Sequence, residues 1–200
     1  MTSYLKPIAL WVCAFLLSIP AQAQFGNVWV FGHHYGLDFN SGSPVFFDTT
    51  AIESLRGYSS VCDSSGQLLF YTDGGRVWNR QHRQMPHGDS LAWVRYMPTG
   101  TYPGITKDQY IGGCVQIIPI ERSTRYYIFT TDNFDNPNHA LQYHIVDMAA
   151  DNGLGDVVVK NRLLQTGMME SLAAVRHCNG RDWWVVGRKG TSDEYLSFLE

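Results

Sequence analysis

The residues best suited to chemistry in this 200-residue chain fall in four short stretches. Asp132-Asn133-Phe134-Asp135-Asn136 spaces oxygen donors loosely as a calcium loop does, with Asp132 and Asp135 as the carboxylate ligands. It lacks the central Gly and the distant bidentate Glu of an EF-hand, and Asp and Asn serve equally as turn formers. Calcium at this loop is the one cofactor the sequence admits. Trp93, Tyr96 and Tyr102, with Met97 and Pro103, crowd residues 90–108. They are either ring platforms for a glycan or protein ligand, on a loop held by a rigid scaffold, or a small core that folds the loop down. His33-His34 is a histidine pair whose side chains diverge in extended backbone, so a polar loop is expected rather than a metal site. Asp151-Asn152-Gly153-Leu154-Gly155-Asp156 is Gly-rich, but no helix follows to complete a phosphate cradle. A shaped turn between units is expected there.

Catalytic templates are missing. There is no Gly-x-Ser-x-Gly, no His-Glu-x-x-His, and no Ser-x-Asp-x-Gly box, since Asp63 meets its Gly only three residues on. The strands expected at the centre of the fold offer Ser59, Ser60, Gln116, Ser171 and Arg176, with Glu170 just before the last pair. A single carboxylate is thin material for paired acid–base work, so a non-enzymatic protein is expected. The alternative is the amino-terminal part of a propeller-fold carbohydrate-active enzyme, a glycoside hydrolase or lyase, whose catalytic residues lie outside residues 1–200.

The elements that position these residues follow a repeat. Leu68-Leu69-Phe70-Tyr71-Thr72-Asp73, Tyr126-Tyr127-Ile128-Phe129-Thr130-Thr131-Asp132 and Asp182-Trp183-Trp184-Val185-Val186-Gly187 are aromatic strands of one kind. Phe70 and Phe129 are 59 residues apart, and Tyr127 and Trp184 are 57 apart. Each unit reads as strand, turn, strand, loop, strand. Asp63-Ser64-Ser65-Gly66 suits a type I turn followed by a left-handed residue, and Asn179-Gly180 is a hairpin dipeptide. Val28-Trp29-Val30-Phe31 and Gly36-Leu37-Asp38-Phe39 read as the outer half of a further unit. Short β-units at a fixed period bury their apolar faces against their neighbours, as propeller blades do. The expected fold is all-β: a partial β-propeller of about three to four antiparallel blades, roughly residues 24–56, 57–110, 111–165 and 166–200. Three and a half units do not close a ring, and residue 200 falls within a strand, so a domain incomplete at its carboxy terminus, the front of a longer protein, is expected.

The amino terminus reads as an export signal spanning residues 1–23. Lys6 precedes an apolar run over residues 8–19, Pro20 ends it, and Ala21-Gln22-Ala23 matches a small-x-small cleavage site. The run is too short to span a bilayer comfortably, and no second one follows, so no membrane span is expected after cleavage. A secreted or cell-surface protein results. Removal of Cys13 leaves Cys62, Cys114 and Cys178, either as one bridge with a spare thiol or as three free thiols. The net charge of −3, with no basic stripe, argues against a nucleic-acid partner.

Several stretches together resemble one family. Gly66 to Gly74, then Val77-Trp78-Asn79-Arg80, His82 and Met85-Pro86-His87-Gly88, are similar to the amino-terminal region of large secreted Bacteroidota proteins. Those proteins carry a gliding-motility-associated, type B carboxy-terminal sorting domain for type IX secretion. Trp29-Val30-Phe31-Gly32, Tyr126 to Thr130, and Val146-Asp147-Met148 followed by Asn152 to Val157 extend the similarity over nearly all of residues 24–200. The resemblance implies a propeller-like module at the front of a surface-attached or secreted protein, acting in binding, adhesion or surface assembly. Tyr110-Ile111-Gly112-Gly113-Cys114 departs from the family's Thr-Gln-Ser at that place, and no sorting domain lies within residues 1–200.

Overall fold

Turn chemistry sets two of the hairpins. Asp63 Oδ1 accepts the Ser65 and Gln67 amides (2.8 and 3.1 Å) and the Ser65 hydroxyl (2.6 Å), while Gly66 closes the turn at φ 87°. In the second, Asn179 Oδ1 accepts the Arg181 and Asp182 amides (2.9 and 3.0 Å) and Gly180 sits at φ 70°. Both are the turns the sequence specifies. The computed structural model describes residues 25–92, 95–97, 109–133, 136–190 and 192–199, with backbone alone at 95–97 and 109–111. Among them the protein is all-β, its one helical segment being a single 3-10 turn at Asp151–Gly153.

In chain order, β1 (Val28–Phe31), β2 (Tyr35–Asp38) and β3 (Val45–Phe47) form the first antiparallel sheet. After β4 (Ser54–Arg56), the strands β5 (Ser59–Cys62), β6 (Leu68–Thr72) and β7 (Val77–Asn79) form the second. β8 (Arg95–Met97) and β9 (Gln109–Ile111) make a small mixed sheet with β4, in which β4 and β9 run parallel. The long excursion after β7, read from sequence as loop, thus contributes two strands. β10 (Val115–Pro119), β11 (Arg125–Thr131), β12 (Leu141–Asp147) and β13 (Asp156–Gln165) form the third antiparallel sheet, and β14 (Met168–Arg176), β15 (Trp183–Lys189) and β16 (Tyr195–Leu199) the fourth.

The four antiparallel sheets stack face to face in chain order, and each junction holds its own core. Val28, Val30, Cys62, Tyr71 and Trp78 fill the first junction. Val61, Phe70, Val115, Ile128, Val146 and Val157 fill the second, with Met85 and Leu91 from the strap that follows β7. Ile118, Phe129 and Val185, flanked by Trp183 and Phe198, fill the third. Alternation along each strand divides its side chains between two junctions. Tyr126 and Ile128 face the second sheet, whereas Tyr127 and Phe129 face the fourth. Phe70 meets Tyr126 edge-on across the second junction, 5.5 Å between ring centres. The leading strands β1, β5, β10 and β14 lie next to one another along the stack.

Four details depart from the sequence reading. The β1–β2 hairpin opens its sheet from the side nearest β5 rather than forming an outer half. The Gly-rich turn after β12 joins two strands of one sheet, not two units, through left-handed residues at Asp151, Asn152 and Gly153 (φ 46°, 55° and 82°). That turn adds β13, a fourth strand in the third sheet. Finally, Trp184 is not the counterpart of the fully buried Phe70 and Phe129. Val185 takes that place and Trp184 turns to the opposite face, beside His177 (5.7 Å between rings). With a side-chain period of two, one residue of register decides which face an aromatic occupies.

Gly113 is held to glycine by its surroundings. A Cβ there would collide with the Thr131 carbonyl and come within 2.7 Å of that of Asp132, so the entry to β10 passes against the end of β11 only as glycine.

Candidate functional site: a polar groove and an arginine-lined cavity

An open groove of about 900 Å3 lies at the junction of the second and third sheets. This volume lies in the range of small-ligand sites. Three parts build it: the β6–β7 turn, the strap over residues 80–92, and the β11–β12 turn with β13.

The β6–β7 turn is closed by an ion pair. Asp73 is fully buried. Its Oδ1 accepts the Gly75 and Arg76 amides (3.0 and 2.7 Å). Its Oδ2 receives both Nε and Nη2 of Arg76 (3.0 and 2.6 Å). The guanidinium also lies over the Trp78 ring at 4.9 Å, and Arg76 lines the groove. Two fork hydrogen bonds and two amides satisfy every lone pair this buried carboxylate presents.

The strap is anchored from below and laced from the side. Met85 and Leu91 are buried, and the Leu91 amide donates to the Gly75 carbonyl at 3.0 Å. From β13, Lys160 Nζ reaches Asp89 Oδ1 at 3.1 Å, and Asn161 Nδ2 donates to the Ser90 carbonyl at 3.0 Å. His87 Nδ1 lies 2.9 Å from Asp156 Oδ1. The Lys160 ammonium holds the Asp89 carboxyl below its ordinary pKa.

A buried histidine aims those β13 side chains. His144 on β12 stands opposite two residues of β13, Lys160 and Asn161, because the register slips between Tyr143 and Ile145. Asn161 adopts φ 58°, and its amide donates to His144 Nδ1 at 3.0 Å. Nδ1 is therefore unprotonated, Nε2 carries the ring proton, and Nε2 donates to Thr130 Oγ1 at 2.9 Å. Burial, then the nearby Lys160 charge, press the His144 pKa down to about 3. The ring stays neutral and holds the bulge that turns Asn161 towards Ser90.

The face of the groove is rich in amides, with Asn136, Asn138, Gln142 and Asn161 over a floor of Leu91, Ala140 and Leu163. Asp132 lines it too, nearly buried, with Oδ2 accepting the Ala140 backbone amide at 3.0 Å and Oδ1 facing the Gln142 side-chain Nε2 at 3.5 Å. Both contacts tie the β11–β12 turn to the start of β12. Asp135, the other expected calcium ligand, lies outside the described residues, as do Trp93 and Tyr102. Tyr96 is placed by its backbone alone, in β8 opposite Tyr110. The strap that ends at Ala92, on the groove wall, leads directly into this aromatic segment. Among the described residues no three His, Cys, Asp or Glu side chains converge as a metal set. Cys62, Cys114 and Cys178 are all free. His34 uses Nδ1 on the Thr50 carbonyl (2.6 Å) and faces Glu53 through Nε2 (3.5 Å), which makes it part of a loop clasp.

A second cavity, about 580 Å3, opens at the start of β14 between Arg56, Met169, Glu170, Ser171, Arg188 and Tyr195. Glu170 and Ser171 stand out in the sequence as polar residues of a leading strand. Arg56 and Arg188 do not, because their approach depends on pairings between distant strands. In the groove, Gln142 and Asn161 carry no sequence signal beyond amide chemistry in β-strands.

No family model, curated protein or solved structure matches this chain.

Proposed function

We propose that this chain is a secreted or cell-surface β-propeller module that binds a glycan or protein ligand without catalysis, in adhesion or surface assembly. The propeller reading is supported by four antiparallel sheets stacked in chain order, with their leading strands adjacent and an aromatic-rich core at every junction. Both ends of the stack also present exposed apolar side chains: Trp29, Tyr35 and Phe46 on the first sheet, Val175 and Leu199 on the fourth. Such faces are what the internal junctions bury, as expected for blades whose neighbours lie beyond the stack. Export by the leader at residues 1–23, and the place of the module at the front of a type IX secretion substrate, rest on the sequence.

The observation that carries the binding reading is the amide-rich groove. Planar amides pair with vicinal hydroxyls in both donor and acceptor senses, and an apolar floor suits the C–H face of a sugar ring. The charged side chains Arg76, Asp89 and Asp132 on its rim are already engaged within the protein. A neutral or weakly charged glycan is therefore the preferred ligand class, with Trp93, Tyr96 and Tyr102 as proposed stacking residues and Asp132 with Asp135 as a proposed calcium loop.

The test is binding of the full chain to immobilised glycans, with Asn138→Ala and Gln142→Ala as groove variants, alongside a reducing-end assay on the same sugars. Binding that both variants weaken, without release of products, supports the reading. Turnover abolished by a point substitution in residues 24–200 refutes the absence of catalysis, and binding indifferent to both substitutions refutes the groove.

A further inference from the structure

The cavity at the start of β14 has features the groove lacks. Along β14 and β15, Met168 pairs with Lys189 and Leu172 with Gly187. Met169, Glu170 and Ser171 therefore all stand opposite the single residue Arg188. This bulge breaks the alternation of β14 where the cavity opens, and bulges commonly re-aim side chains beside functional sites. Arg188 is in turn paired with Tyr195 on β16, so both line one wall. Opposite them comes Arg56, from β4 of the small mixed sheet.

The charges divide unequally. Arg56 forms a fork with Glu170, Nη1 to Oε2 at 2.8 Å and Nη2 to Oε1 at 3.3 Å. The pair is lopsided in burial, with the arginine side chain 55% exposed and the glutamate 14%. The Cys114 thiol donates to the Glu170 carbonyl at 3.2 Å and fixes the bulge from the β10 side. Glu170 thus neutralises Arg56. Arg188 donates through Nε to the Ser192 carbonyl at 3.3 Å, and its two terminal nitrogens meet no acceptor among the described residues. The cavity lining carries one net positive charge on an oriented fork. Ser171 and Tyr195, both exposed, line the same cavity.

We propose that this cavity is a carboxylate-binding subsite for an acidic glycan, with Arg188 as the anion-binding residue and Glu170 as the group that limits the site to one negative charge. The proposal rests on the glycan-binding reading of the groove and names the class of sugar. Thr166 lines the groove and Met169 lines the cavity, three residues apart across the bend at Gly167 (φ 71°), so the two sites are separated along the chain by no more than roughly 10 Å. One oligosaccharide can therefore place neutral rings against the amides and a uronate carboxylate on Arg188. An arginine fork suits a planar carboxylate, with two parallel charge-assisted hydrogen bonds.

The experiment places the full chain on an array of neutral, uronate-bearing and sulfated glycans. The best uronate oligosaccharide is then titrated calorimetrically, beside its carboxyl-reduced form and a hexaglutamate peptide. Arg188→Gln should weaken the uronate ligand by on the order of tenfold or more, and Glu170→Gln, which frees Arg56, should strengthen it several-fold. Neither should change the affinity of the carboxyl-reduced form. A merely structural role would make both substitutions weaken both ligands. If Arg188→Gln fails to fold, the Glu170→Gln gain decides the matter, since Arg188 is then intact.

Equal affinity for the uronate and its reduced form overturns the subsite and leaves the groove standing. Loss of all glycan binding overturns both. Preference for sulfated glycans overturns the carboxylate assignment, and Arg188-dependent binding of hexaglutamate alone overturns the sugar.

Discussion

Acid should destabilise this protein through one residue, His144, before it protonates most carboxylates. In the folded chain its Nδ1 accepts the Asn161 amide, so a proton added there faces a donor instead of an acceptor. The resulting charge would also be buried and close to Lys160, and these effects hold the pKa at about 3. In the unfolded chain a histidine titrates near 6.5. Between these values the unfolded state binds the extra proton, so stability rises with pH across the window. The contribution is complete above pH 6.5 and is lost progressively as pH falls towards 3. At pH 4.5, two units below the unfolded value, the loss amounts to roughly 2–3 kcal/mol. His144→Gln removes the titration while keeping an amide able to bond on one side, at about 1–2 kcal/mol near neutrality. Urea unfolding of both proteins at pH 7.5 and 4.5 isolates the effect, because other titrating groups, including the burial-depressed His82, cancel in the comparison. The wild-type advantage at pH 7.5 should vanish or reverse at pH 4.5. A difference between the two proteins that stays constant to within about 0.5 kcal/mol across that range would refute the assigned tautomer and the burial argument together.

Two other substitutions test the framework of the groove. Asp73→Asn strips the charge from a fully buried carboxylate that holds the Arg76 fork, and should reduce unfolding free energy by on the order of 3 kcal/mol; a loss below about 1 kcal/mol in urea melts would show the pair to be dispensable. Gly113→Ala drives a methyl group into the Thr131 carbonyl, so it should lower the melting temperature sharply, whereas Gly42→Ala, with open space around its Cβ but φ 84°, should show only the cost of backbone strain.

Much of the β-architecture is local and so can be read from residue order. Asp63 and Gly66 write one turn, Asn179 and Gly180 another, and the apolar content of each strand needs no distant partner to be recognised. The site is a different matter. Arg56 and Glu170 are 114 positions apart and meet only because the fold brings the end of β4 within side-chain reach of the start of β14. His144 looks like any strand histidine until the β13 bulge places the Asn161 amide on its ring.

By itself, the sequence determined that the chain forms short antiparallel strands joined by tight turns, because turn geometry and strand alternation depend on a few neighbouring residues. The tertiary structure alone decided that Val185 rather than Trp184 fills the third junction, that β13 joins its sheet, and that the terminal nitrogens of Arg188 line a cavity with no acceptor among the described residues. Those outcomes turn on one residue of register and on pairings between remote strands. The energies that select them come from packing across the junctions, which no stretch of local sequence contains.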